Sequence, residues 1–173
     1  NDPQFAGQWS LHNTGQDGGT VDADIDAPEA WEITTGSSSV VVAVLDSGMQ
    51  HTLADLTANV WRNQAELSGT AGVDDDGNGH IDDIYGWNFL NGNNSTLDSY
   101  VHGTHVAGII GAAGNNGVGV SGVAQQVQLM PVKFLDHNGY GTTSNAIAAI
   151  NYARSKGAHI INNSWGGQEF SQP

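Results

Sequence analysis

The chain has 173 residues, which is one domain or part of a larger one, and enough to bury a core. Four Lys plus Arg stand against 18 Asp plus Glu, a formal charge of −14, which excludes neutralisation of a phosphate backbone, and with it nucleic acid as a partner, and favours divalent cations. No cysteine is present, so disulfides, thiolate catalysis and Cys-ligated metals are excluded, and the longest apolar runs have the length of a strand, too short to span a membrane.

Asn1-Asp2-Pro3 opens the chain with no apolar stretch behind it, so an exported protein would carry this as a processed chain. Ala27 to Ile33 reads as a short helix with Asp26 as N-cap and Pro28 in the first turn. Val40 to Leu45 is apolar at both parities and β-branched, the pattern of a central parallel strand covered on both faces. Between Leu56 and Leu97 the composition turns to Asp, Asn and Gly, with turn signals at Asp76-Gly77, Asn78-Gly79 and Asn91-Gly92, and reads as loop. His102 to Ala113 reads as a buried helix whose small residues let it lie close to a sheet. Two further strands, Val127 to Leu135 and His159 to Asn163, enclose a helix from Thr143 to Lys156. The alternation predicts an α/β fold, a parallel sheet flanked by helices. No repeat or linker divides the chain, so residues 1–173 read as one unit. The 24 glycines are dispersed among apolar segments, as in an ordered protein with many tight turns.

Asp46 closes the first strand, at the carboxyl end where such sheets place their ligands. An isolated aspartate there is commonly a turn cap. His102 opens the small-residue helix, where the positive end of the helix dipole disfavours imidazolium, so proton transfer at that ring needs an opposing carboxylate. Asp46 can supply it, although a lone histidine there is commonly a surface residue. His102 and His105 share a helical face, yet neither a His-Glu-x-x-His pattern nor a nearby third ligand supports zinc.

The segments Val41-Val42-Ala43-Val44-Leu45-Asp46-Ser47-Gly48 and His102-Gly103-Thr104-His105-Val106-Ala107-Gly108 resemble the aspartate and histidine motifs of the subtilisin-like serine proteases, the subtilases. Their order, Asp before His, is that of subtilisin. Ile161-Asn162-Asn163-Ser164-Trp165-Gly166-Gly167 is similar to the family's strand along the primary specificity pocket, and Asn138-Gly139-Tyr140-Gly141 to the opposing segment. The resemblance runs from Asn1 to about Gly167 and implies a seven-stranded parallel sheet. It further implies that Asp46 and His102 are catalytic, and that a polypeptide substrate pairs as an added strand between Gly139, Tyr140, Gly141 and Ser164, Trp165, Gly166. The family's Gly-Thr-Ser-Met-Ala nucleophile motif is not found in the 173 residues. Ala113-Gly114-Asn115 follows the histidine helix too early to be the oxyanion motif.

Asp74, Asp76, Asn78, Gly79, His80 and Asp82 fall at positions one, three, five, six, seven and nine of an EF-hand-like calcium loop. Tyr85 stands where a bidentate Glu belongs, so Asp82 or Asp83 is expected to close the shell. An acidic loop that is merely solvated is the alternative. A second calcium is implied by the resemblance alone: Asp2, Asp55, Asn116 and the carbonyls of Gly114, Val118 and Val120 match the site that ties the N-terminus of thermitase-type and subtilisin-type subtilases to the loop after the histidine helix. The expectation is therefore the N-terminal part of a secreted, extracellular, calcium-stabilised serine endopeptidase. Its serine would come from a remainder or a companion chain with the C-terminal half of the catalytic domain. The alternatives are a catalytically silent subtilase module and a calcium-dependent structural or adhesive domain. The strand near Ile160 is expected to need pairing with further chain.

Overall fold

The computed structural model describes residues 1–167. The terminal segment 168–173 lies outside the described residues. Helices α1 (Ala27–Ile33), α2 (Gln64–Ser68), α3 (His102–Gly111) and α4 (Thr143–Ser155) alternate with strands β1 (Gly36–Asp46), β2 (Trp87–Asn88), β3 (Gln126–Lys133) and β4 (Ile160–Asn162). The strands form one sheet in the order β2-β3-β1-β4, and every pairing within it is parallel. In register, Leu45 lies beside Val132 and Asp46 beside Lys133, while Val42 lies beside Ile160 on the other flank.

Alternation along β1 explains the two covered faces. Val41, Ala43 and Leu45 pack with Met130, Val132, Ala149, Tyr152 and Ala153 under α4, whereas Val42 and Val44 pack with Leu129, Met49 and Ala107 under α3. A strand whose successive side chains enter opposite cores has to be apolar throughout. Small residues bring α3 onto the sheet. A side chain at Gly111 would run into Val127 and Leu129. Helix α4 is capped by Thr142, whose hydroxyl accepts from the Asn145 amide at 3.1 Å.

Several expectations need correction. Strand β1 starts at Gly36, before the apolar run, because Gly36 already pairs with Gln126 of β3; the exposed Ser37–Ser39 segment falls in a register irregularity before pairing resumes at Val41. Strand β3 ends at Lys133; Phe134 and Leu135 leave the ladder and donate their amides to the Asp46 carbonyl at 3.0 and 3.3 Å. Helix α3 stops at Gly111, and the Ala113 amide turns to the Asp55 carbonyl. Asp26 stands at the N-cap position in a left-handed conformation (φ 54°) without a side-chain capping bond. Asp24 orders that turn instead, accepting from the Asp26 amide at 2.7 Å. The stretch 56–97 is not wholly loop: it holds α2, β2 and a 3₁₀ turn at Thr57–Asn59, and it buries Trp61, Glu66 and Asn88. Among the described residues no helix is long and apolar enough to cross a membrane.

Candidate active site

Asp46 ends the central strand and is fully buried, at 0% exposure. Its Oδ1 accepts from the Ser47 amide at 2.7 Å, and its two oxygens lie 2.8 and 3.0 Å from His102 Nδ1. A buried carboxylate only accepts, so in the neutral ring the proton sits on Nδ1 and Nε2 is left with its lone pair. Among the described residues Nε2 makes no hydrogen bond, and the His102 side chain is 42% exposed. The ring can therefore take a proton from a group that approaches Nε2, and Asp46 can stabilise the cation that forms. Gly103 makes the approach possible, since a Cβ there would strike the Gly48 carbonyl and press on Asp46.

Polar groups around this pair keep both backbones in place. Val101, just before His102, is held at φ 75°, a conformation that costs a β-branched residue on the order of 1–3 kcal/mol. Lys133 is 4% exposed, and its ammonium donates to the Ser47 carbonyl, to the Leu97 carbonyl at 3.2 Å and to Ser99 Oγ at 2.8 Å. Burial pushes the Lys133 pKa below its usual value, against the attraction of Asp98, Asp136 and Asp46. Burial alone would raise the pKa of Asp98; the bonds it accepts from Thr104, Tyr100 and Ser47 outweigh this and hold its carboxyl below the usual carboxylate range. His105, the other histidine of the motif, is exposed and lies beside a separate hollow lined by Leu53 and Gly108. No third ligand joins the two histidines among the described residues.

The two glycine-rich segments follow β3 and β4, the strands on either side of β1. Gly139 packs on the Tyr100 ring, and the turn beneath it is held by the Asp136 amide donating to the Tyr140 carbonyl at 2.8 Å. Tyr140 itself is 75% exposed. Beyond β4, Trp165 meets Phe134 edge-on at 4.9 Å, so Ser164, Trp165 and Gly166 lie beside the chain that leaves β3 toward Gly141.

The acidic loop is more dispersed than its spacing suggests. Glu66, Asp74 and Asp76 bring carboxylate oxygens within 4.8 Å of one another, an all-oxygen set that suits a hard cation such as calcium. Glu66 escaped the sequence reading. It is buried on α2 and accepts from the Asp75, Asp76 and Asp82 amides at 2.8, 3.2 and 2.9 Å. Asp82 turns to the Gly72 amide, and Asp83 is bound by Asn63, Asn78 and the Tyr152 hydroxyl. The Asn78 side-chain Oδ1 accepts from the His80 amide, while the His80 ring lies among Trp87, Phe89 and Tyr152. Lys156 bonds to Asp76 and reaches Asp83 at 3.6 Å. Burial would raise the Asp76 pKa, but the bonds from Lys156 and Asn63 hold it below its usual value.

At the N-terminus, Asp2 accepts from the Asn115 and Asn116 amides at 2.8 and 2.9 Å. Asp55 accepts from Asn116 Nδ2 and the Val120 amide at 3.0 and 2.9 Å. Asp2, Asp55 and Asn116 thus share the loop that holds Gly114, Val118 and Val120.

The parallel sheet covered on both faces, with a carboxylate–imidazole pair at the end of its central strand, has counterparts among known proteins. Residues 37–173 match the Subtilase family, peptidase S8. The chain belongs to this family. It is 44% identical over 130 residues to subtilisin-like protease 1 of Plasmodium vivax, a match that covers 75% of this chain and 21% of that protein. It is 37% identical over 169 residues to the cell wall-associated protease of Bacillus subtilis, covering 96% of this chain and 17% of that one. The structure of an Aeromonas sobria serine protease, solved in complex with its chaperone, aligns over 97% of this chain and 26% of its own at TM-score 0.73 and 26% identity. The chain thus spans a small part of the length of these relatives.

Proposed function

We propose that residues 1–173 form the N-terminal portion of a subtilase catalytic domain and that the complete protein is an extracellular serine endopeptidase. The observation that carries this reading is the contact of His102 Nδ1 with both oxygens of the buried Asp46, which leaves Nε2 unbonded among the described residues. His102 acts as general base and then general acid, and Asp46 fixes its tautomer and stabilises the imidazolium. The nucleophilic serine and the oxyanion asparagine are supplied outside these residues, by a remainder of the polypeptide or a companion chain. A peptide substrate lies extended between Gly139–Gly141 and Ser164–Gly166, bound mainly through backbone hydrogen bonds. Membrane and nucleic acid have no part in the reaction.

Calcium is the proposed cofactor. Glu66, Asp74 and Asp76 would hold one ion, with Asn78, the His80 carbonyl, Asp82 and Asp83 around it. Asp2, Asp55, Asn116 and the carbonyls of Gly114, Val118 and Val120 would hold another. The ions supply rigidity and no reaction chemistry. The test uses the full-length polypeptide that carries this chain. A fluorophosphonate should label one serine, and peptide hydrolysis should vanish with that label and with His102→Ala. Hydrolysis undiminished in His102→Ala would overturn the reading.

A further inference from the structure

The sequence shows no capping residue for α3. Val101 stands at its N-cap with no side-chain acceptor, yet the helix places His102 in its first position. The acceptors come from elsewhere. Asp98 Oδ1 accepts from the Tyr100 and Val101 amides at 2.9 and 3.0 Å and from Ser47 Oγ at 2.8 Å. Asp98 Oδ2 accepts from the amide and hydroxyl of Thr104 at 2.8 and 2.5 Å. Ser47 Oγ in turn accepts from the Gly103 amide at 3.0 Å. The amides on both sides of His102 therefore end in one network, and its other anchor is the residue next to Asp46.

From this geometry we infer that Asp98 is a positioning residue for the Asp46–His102 pair: it holds the left-handed Val101 turn and couples the segment that carries the carboxylate to the one that carries the imidazole. The inference rests on the proposed role of that pair. Asp98 bonds neither ring nor Asp46, so its effect is on where His102 stands. A small displacement of a reacting group costs on the order of 100-fold in rate. Asn in place of Asp98 would turn an amide N–H toward donors that now meet an acceptor.

The test compares variants of the full-length polypeptide in steady-state peptide hydrolysis. Asp98→Asn should lower kcat by on the order of 10-fold to 100-fold with KM within about twofold of wild type. Val101→Asn added to it should recover most of that loss, because Asn tolerates positive φ and Val101 is 73% exposed and fills no core. Should Asp98→Asn not fold, Ser47→Ala removes the link between the two segments and should lower kcat at least fivefold at unchanged KM. Unchanged kcat in the folded variants, a change confined to KM, or no recovery in the double variant would overturn the inference. Asp46→Asn and His102→Ala separate the two levels: if they abolish turnover and Asp98→Asn does not, only the positioning role fails, and if they leave turnover intact, the pair itself is not catalytic.

Discussion

The Asp46–His102 centre and the acidic loop around Asp74 both gather ionisable groups, but they stabilise them by different means. At the centre, Asp46 and Asp98 are charged groups whose oxygens already meet amides, hydroxyls and an imidazole. Its geometry is fixed by hydrogen bonds between neighbouring loops. In the loop, Glu66, Asp74 and Asp76 bring their oxygens together while Lys156 reaches Asp76 and Asp83 from the end of α4. Like charges at that spacing oppose folding unless a cation offsets them. Preorganisation by dipoles supports chemistry, whereas concentrated charge makes stability depend on solution conditions.

The largest effect should fall on chemistry alone. In the full-length polypeptide, on the proposed function, His102→Ala, or Asp46→Asn, is expected to lower kcat by ~10⁴-fold or more, with the melting temperature little changed. Steady-state kinetics with calorimetry checks both halves, and a variant that loses activity by unfolding would erase the contrast. Chelation should do the reverse. With calcium initially at about 1,000 times its dissociation constant, EGTA should remove about 4 kcal/mol of stability, read as a lower melting temperature. Glu66→Ala should cost about 1–3 kcal/mol in urea unfolding, because the Asp75, Asp76 and Asp82 amides lose their acceptor. Thr142→Ala, outside both regions, should cost about 1 kcal/mol and leave calcium dependence and kcat alone. The smallest effect is expected from acid. Asp76 and Asp98 have folded-state pKa values below the usual range, so the unfolded chain binds protons first. Their contribution is complete above the unfolded value of about 4 and is lost as pH falls through the folded values. Urea midpoints at descending pH would show it, muted by solvent screening.

The differences between sequence and structure follow the same physics. Strand β1 and helices α3 and α4 were readable because burial on two faces or one imposes a local period, and Asp46 and His102 because each sits in a long motif. Glu66 lies in a short polar helix with no pattern of its own; only the fold carries it to amides nine to sixteen residues away. Asp98 precedes its helix by a turn and caps it from outside the usual position, so a search for an N-cap beside His102 stops at Val101. The loop's spacing picked out Asp74, Asp76, Asp82 and Asp83 as one set, but it carries no sign that the Asp82 and Asp83 oxygens meet Gly72, Asn63, Asn78 and Tyr152.

The internal engagement of the lysines bears on handling of the protein. Lys133 is enclosed by carbonyls and a hydroxyl, and Lys156 is tied to the acidic loop. Amine-directed dyes should therefore modify these two lysines slowly while the chain is folded, and faster once urea opens it.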